Sequence, residues 1–506
     1  MNVLLITTDQ QRADTLGCYG SPLGATPRLD EFARQGTRFA AARTQNPLCQ
    51  PARATILTGT YPSTHGVTCN GIDFGDDNIA RTVPTLLGAR GYRSAIVGKG
   101  HFATTYPYFP TGRIESVDGS ALAPADWNGP YVGFDLAELI IFGHNLRIAD
   151  LVGHWTWTYG PPPFGLNYAR YLVRDGHERG VERLRAMQPE AAGAQFDKRQ
   201  TWRNQLAEED HPTTWVADRA CEWLRNVDGP FFGWVSFTDP HHPMDAPAPW
   251  CDRYAPADVL EIVPAVHEKE FENKPPLHQA LTHGVRDKAM AWANPGGANL
   301  SREDLAVMTA GYYGMVAQLD HNIGRVLDAL TERGVADDTL VIITTDHGEF
   351  MGEHQMIFKG PFGYDSLLRV PLLMRGPSVP AGHVVDEPVG TIDIAPTALQ
   401  AAGVEVPAWM EGRPLLDGPR EHCLSENDFN IIGWIPMRTI TTSRYKLHAY
   451  LEHPWGELYD LREDPGELVN RFDDPGYAPI RADLEALLKE TMNHNPRRDP
   501  TVGLVA

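Results

Sequence analysis

Cysteine is scarce: there are six in 506 residues, at positions 18, 49, 69, 221, 251 and 423, with no Cys-x-x-Cys pair. That excludes a disulfide framework and a dithiol redox site, and it points to a reducing compartment. Basic charge is also short, with 44 Lys and Arg against 65 Asp and Glu, for a net charge of −21. Such a surface repels nucleic acid and anionic membranes. It leaves room for a small anionic substrate, because charges beyond a Debye length of about 8 Å are screened and local cations decide. No apolar run approaches the roughly 20 residues of a membrane span. The opening Met1-Asn2-Val3-Leu4-Leu5-Ile6 has neither the basic flank nor the cleavage site of a signal peptide. These absences predict a cytoplasmic protein with no nucleic-acid or membrane partner. What is present, 42% apolar and 22% charged residues, is ordinary globular chain, long enough for one large domain and a smaller one.

The stretch Leu48-Cys49-Gln50-Pro51-Ala52-Arg53-Ala54-Thr55-Ile56-Leu57-Thr58-Gly59 predicts a helix that opens at Pro51 and stops before Gly59. Cys49 then stands one residue ahead of a positive helix terminus, with Arg53 one turn on. Both features stabilise a thiolate, or an oxyanion built on that side chain. A buried structural cysteine fits this stretch equally well.

Residues 2–8 are almost wholly apolar, as a strand buried on both faces of a parallel sheet must be, and they end in Asp9-Gln10. Residues 339–345 repeat the design and end in Asp346-His347. Ligands collect at the carboxyl ends of such strands, so the two ends together predict four ligands around one cation. Either aspartate alone would be read as a helix cap. An all-oxygen site suits Ca²⁺, whereas an imidazole suits Mn²⁺ better.

Further along, Asn70 lies in a turn-rich segment. A helix over 82–90 and a strand over 92–97 lead to Gly98-Lys99-Gly100-His101, where Lys99 and His101 point the same way if the backbone stays extended. A buried strand over 230–237 leads to Asp239-Pro240-His241-His242-Pro243. Tyr312, Met315, Leu319, Ile323, Val326 and Leu330 follow helical spacing, with Asp320 and His321 read as structural on that helix. A strand over 370–374 and a helix over 391–403 follow. From about residue 415 short strands alternate with turns, and a last helix carries Ile480, Leu484, Leu487 and Leu488. Two insertions, at 103–215 and 245–300, interrupt this order.

Cys49-x-Pro51-x-Arg53 followed by Thr58-Gly59 resembles the signature of the type I sulfatases, the formylglycine-dependent branch of the alkaline phosphatase superfamily. The resemblance extends to Asp9-Gln10, Asp346-His347, Gly98-Lys99-x-His101, the His-x-Pro at His241, Lys359 and the stretch Gly456-Glu457-Leu458-Tyr459-Asp460-Leu461. It implies an α/β sandwich with a large, mostly parallel central sheet flanked by helices and a small C-terminal antiparallel subdomain, here 1–415 and 416–506. It also implies that a maturation enzyme oxidises Cys49 to Cα-formylglycine, whose hydrate is the nucleophile. Asp9, Gln10, Cys49, Asp346 and His347 would bind one divalent metal, Ca²⁺ or Mn²⁺. Arg53, His101, His241 and Lys359 would be catalytic, and Lys99, Lys359, His241 and Asn70 would bind substrate.

Gln10 replaces the commoner aspartate, and His347 stands where arylsulfatases often carry Asn but phosphonate monoester hydrolases and choline sulfatases carry His. Lys99 and His101 lean the other way, toward sulfate esters. The expected activity is therefore hydrolysis of small sulfate monoesters, with a phosphonate monoester or phosphodiester hydrolase as the alternative. A metal-dependent anion-binding relative would follow only if Cys49 stays a thiol. The aromatic insertions suggest an aryl or apolar alcohol part, and their size suggests a homo-oligomer.

Overall fold

The run Val3-Leu4-Leu5-Ile6 has no polar face, so it is stable only where both sides of a sheet are covered. The computed structural model describes residues 1–103, 113–116, 119–120, 123–140, 148–149, 155–156, 166–194, 199–267, 269–282, 300–429 and 435–492. In it this run forms the middle of β1 (Asn2–Thr8), every residue of which is buried. The other strands of its sheet are β2 (Thr37–Arg43), β3 (Arg93–Lys99), β4 (Leu136–Ile140), β5 (Phe231–Ser236), β6 (Thr339–Thr345), β7 (Leu372–Arg375) and β8 (His383–Gly390). Their order is β8-β2-β7-β6-β1-β5-β3-β4, and only β7 runs antiparallel to its neighbours. The strand read from 370–374 is this β7.

Period-two alternation sorts β1 between two helical layers. Val3 and Leu5 face α2 (Cys49–Thr58) and α5 (Ile394–Ala401), whereas Leu4 and Ile6 face α1 (Pro27–Arg34), α3 (Pro212–Asn226) and α4 (Arg302–Glu332). The helix expected over 391–403 is a single turn, Thr391–Asp393, followed by α5. The cysteine helix also differs from expectation, because α2 starts at Cys49 itself, with Leu48 extended as its cap. Pro51 sits inside the first turn, where its missing N–H costs no helical hydrogen bond. Gly59 ends the helix at a φ of 65°, as its lack of a Cβ allows.

The C-terminal strands β9 (His422–Phe429), β10 (Ile435–Thr442), β11 (Tyr445–Tyr450) and β12 (Gly456–Asp460) form an antiparallel sheet in chain order. One face, with Leu424, Ile440, Leu447 and Leu458, is covered by Leu484 and Leu488 of α6 (Ala478–Thr491). The other, with Met437, Tyr450 and Tyr459, packs on Phe350, Phe362 and Tyr364 of the main domain. Pro161-Pro162-Pro163 and most of the aromatic run around Trp155 lie outside the described residues.

Asp320, read as structural, is buried in the middle of α4 and accepts the backbone N–H of Arg28 at 3.1 Å and of Leu29 at 2.8 Å, so it ties α4 to the first turn of α1. Burial pushes its carboxyl from 3.8 up to about 6. A folded value above the unfolded one means a stability contribution that is complete below the unfolded value and lost as pH rises through the folded one. Relative to Asp320→Asn, the wild type should therefore lose up to about 3 kcal/mol between about pH 4 and about pH 7. Urea unfolding at both pH values checks this, and parallel behaviour of the two proteins would contradict it.

Candidate active site

β1 and β6 pair in parallel register with Thr8 beside Thr345, so the chain delivers Asp9 and Asp346 side by side at one edge of the sheet. The backbone N–H of Gln10 donates to Asp346 Oδ1 at 3.1 Å. The first turn of α2 brings Cys49 over this pair, with its Sγ 3.8 Å from Asp9 Oδ1 and 3.1 Å from His347 Nε2. One donor atom from each of Asp9, Cys49, Asp346 and His347 lies within 4.8 Å of the others, and all four residues are buried.

The donor set fits a divalent ion on two further observations. Asp346 Oδ2 is buried without a hydrogen bond, an unfavourable state for a carboxylate oxygen that a cation would relieve. His347 Nδ1 sits 2.9 Å from the carbonyl of Gly348, which places the proton on Nδ1 and turns the Nε2 lone pair into the cluster. Burial pushes His347 down, but Asp346 and Cys49 pull it further up, as an anionic pocket does to a base in its midst.

Cations ring the cluster. Lys99, at the end of β3, donates to Asp9 Oδ2. Arg53, fully buried one turn into α2, places Nε 3.3 Å from Asp346 Oδ2 and both terminal nitrogens on Ser236 Oγ, at 2.9 and 2.7 Å. Lys359 Nζ reaches Gln10 Oε1 at 2.9 Å, His241 Nε2 at 2.8 Å and Cys49 Sγ at 3.4 Å. Burial raises Asp9, but Lys99, His241, Arg53 and Lys359 outweigh it and hold the carboxyl well below its ordinary range. Burial and Asp9 raise the Cys49 thiol, and Lys359, Lys99 and His347 bring it to a net lower value. His241 is driven well down by burial and then by Lys359. Its Nδ1 lies 2.7 Å from the His242 carbonyl, so a neutral ring donates there and accepts from Lys359 at Nε2.

Every residue predicted for the site is buried or half-buried in this neighbourhood, with one difference in detail. Gln10 accepts from Lys359 at its Oε1, 2.9 Å away, and its backbone sits at a φ of 60°. His101 has a φ of 59°, so the extended-backbone argument that aligned it with Lys99 fails. It still sits in the field of Lys99 and Arg53, which together with burial drive its imidazole well below the ordinary value. Asn70 Oδ1 accepts the N–H of Gln50 at 3.0 Å, next to Cys49.

Three functional neighbours escaped the sequence reading. Ser236, the last residue of β5, anchors Arg53. Glu115 accepts the backbone N–H groups of His101, Phe102 and Ala103 at 2.5, 2.7 and 3.2 Å, which fixes the turn at His101. Glu349 takes Gln10 Nε2 on one oxygen and the N–H groups of Met351 and Phe358 on the other, so it pins Gln10 and closes the loop that carries Lys359. Its place two residues after His347 was the available signal. Glu349→Ala leaves the buried N–H groups of Met351 and Phe358 without an acceptor and takes one of two partners from Gln10 Nε2, and should lower unfolding free energy by about 3 kcal/mol. Denaturant melts measure this, and a loss below about 1 kcal/mol would show that the loop holds itself.

Comparison with known proteins agrees with this geometry. A family model described as Sulfatase matches residues 1–404, and one described as N-sulphoglucosamine sulphohydrolase, C-terminal, matches residues 352–494. The chain is 31% identical over 510 residues to the "Uncharacterized sulfatase YidJ" of Escherichia coli (strain K12), covering 99% of this chain and 88% of that protein. It is 27% identical to an arylsulfatase of Clostridium perfringens, covering 94% and 91%. Among solved structures, the phosphonate monoester hydrolase of Agrobacterium radiobacter superposes with a TM-score of 0.76 at 28% identity, covering 97% of this chain and 95% of that one. With the match spanning the main sheet and every strand end that builds the site, the chain belongs to the sulfatase family.

Proposed function

We propose that the chain hydrolyses sulfate monoesters, with the hydrate of a formylglycine made from Cys49 as nucleophile and one divalent ion beside it. The observation that carries this reading is the convergence on Cys49 Sγ of Asp9, His347 and Lys359. When bound by Asp9, Asp346, His347 and the side chain at position 49, with Gln10 adjacent, the ion supplies Lewis-acid charge stabilisation and a more acidic hydrate. Oxygen and nitrogen donors together suit Mn²⁺ as well as Ca²⁺.

The chain's own groups divide the remaining work. Lys99 and Lys359 balance charge on the sulfuryl oxygens. Lys359 already donates to neutral His241, so this pair delivers the proton to the leaving oxygen. His101, kept neutral by burial and Lys99 and with Nδ1 buried and unpartnered, accepts a proton from the hydrate. Arg53 holds Asp346 in place from Ser236. A maturation enzyme, a cytoplasmic location and a homo-oligomer complete the reading.

One observation favours a second activity at the same site. Gln10, Asn70 and His347 lean, by resemblance, toward phosphonate monoester hydrolases, and such an enzyme is a structural neighbour at 28% identity. A sulfate ester has three non-bridging oxygens, whereas a phosphonate monoester has two and a carbon, so the first offers one more oxygen for Lys99 and Lys359 to share.

Three outcomes test the proposal. The intact mass should fall short of the encoded one by the difference between a thiol and an aldehyde side chain, and fully active protein with an unmodified Cys49 would refute the scheme. Cys49→Ser, unable to form the hydrate, should be sulfated once and stall, which mass spectrometry after incubation with a nitrophenyl sulfate would show; steady turnover would contradict it. Lys99→Ala should cost about 10²-fold or more in kcat/KM on nitrophenyl sulfate and less on an aryl phosphonate monoester. Equal losses would favour the second activity.

A further inference from the structure

The C-terminal sheet reaches the neighbourhood of the nucleophile. Ser425 and Asn427 project from one face of β9. Ser425 Oγ donates to the Thr44 carbonyl at 2.6 Å, and the N–H of Glu426 donates to the Gln45 carbonyl at 2.8 Å. Asn46 Nδ2 bridges the carbonyls of Glu426, at 2.6 Å, and Thr68, at 3.2 Å. β9 thus runs beside the segment that leads into Cys49. Across the sheet Asn427 pairs with Met437, which packs in one cluster with Phe362, a residue of the loop that carries Lys359. Asn427 is therefore bracketed by the two segments that deliver Cys49 and Lys359.

Its side chain is 1% exposed, yet neither Oδ1 nor Nδ2 has a hydrogen-bond partner. Two more groups around the same Asn46 bridge share this state: Thr68 Oγ1 and Asn70 Nδ2 are buried and unpartnered. Buried polar groups are almost always paired, and leaving one unpaired costs stability. A carboxamide kept beside Met437 with nothing to bind is a local conflict of the kind that marks a ligand site.

We propose that Asn427, together with Thr68 and Asn70, forms a polar subsite that hydrogen-bonds the hydroxyl groups of a hydroxylated alcohol part, as in a monosaccharide or polyol sulfate. The inference rests on the sulfate-ester reading and deepens it. A carboxamide open at both ends and a hydroxyl match partners that donate and accept at once, and none of the three carries charge, which suits neutral hydroxyls rather than a second anion. The alcohol part is then polar, in contrast to the apolar one that the aromatic insertions suggest.

The test compares kcat/KM on a nitrophenyl sulfate with kcat/KM on a panel of monosaccharide sulfates. In Asn427→Leu, and in the near-isosteric Thr68→Val, the ratio of the best sugar sulfate to nitrophenyl sulfate should fall about tenfold, through KM. A purely structural role lowers both substrates alike and leaves the ratio unchanged, which would overturn the subsite. Turnover of nitrophenyl sulfate without any hydroxylated sulfate would overturn it as well. Calorimetric binding of a monosaccharide sulfate to Cys49→Ala, with and without Asn427→Leu, separates the subsite from the chemistry. An unchanged Kd rejects the subsite, whereas binding weakened by Asn427→Leu, together with a wild type that turns over no sulfate ester, rejects the sulfatase reading alone.

Discussion

Two aspartates with no solvent exposure, Asp9 and Asp346, are forced together because adjacent parallel strands end in register. Buried like charges are unfavourable unless compensated, and the surrounding structure supplies that compensation from several directions. Lys99 arrives from β3 and Arg53 from the first turns of α2. Lys359 comes from the loop beyond β6, and the N–H groups of Gln10 and His347 fall on Asp346 Oδ1 at 3.1 and 2.9 Å. Asp346 Oδ2, which has the Arg53 charge 3.3 Å away but accepts no hydrogen bond, and His347 Nε2, 3.1 Å from Cys49 Sγ, mark where a further cation belongs.

The parts farthest from the cluster serve the same end. Arg53 can face Asp346 because Ser236, on a neighbouring strand, holds its other nitrogens and Trp234 lies along it, the guanidinium carbon 5.8 Å from the ring centre. The loop carrying Lys359 is gripped from within by Glu349. From below it rests on the C-terminal sheet, where Glu457 accepts Tyr364 at 2.9 Å, Tyr450 at 2.5 Å and His278 at 3.1 Å. Burial raises Glu457, but His278 and its other partners outweigh that and hold it well below the ordinary carboxylate range. The small sheet is thus part of the machinery that sets the position of a site lysine, and Asn427 extends that role to the pocket wall.

Much of the fold and the site was legible in the chain because its signals are local. Uninterrupted apolar runs ending in acidic pairs identify buried parallel strands with ligands at their ends, and Cys49-x-Pro51-x-Arg53 with Gly59 identifies the helix that faces them. The family pattern added Lys99, His241 and Lys359, whose own surroundings in sequence are unremarkable. Glu115, Ser236 and Asn427 were not legible, and Glu349 was signalled only by its place two residues after His347. Each works through a backbone amide or a side chain distant in sequence, and such pairings leave no periodic trace.

The chain alone therefore determined which residues are apolar enough to be covered on both sides, which strand ends carry acids, and which cysteine heads a helix, since all three follow from neighbours along the backbone. Tertiary structure decided the rest. It set α2 starting at Cys49 rather than Pro51, gave His101 its left-handed turn, and turned the Gln10 carboxamide toward Glu349 and Lys359. It also left the Asn427 amide buried without a partner. These outcomes depend on strand register, burial and the closure of long loops, which fix charge against charge only once the sheet has formed.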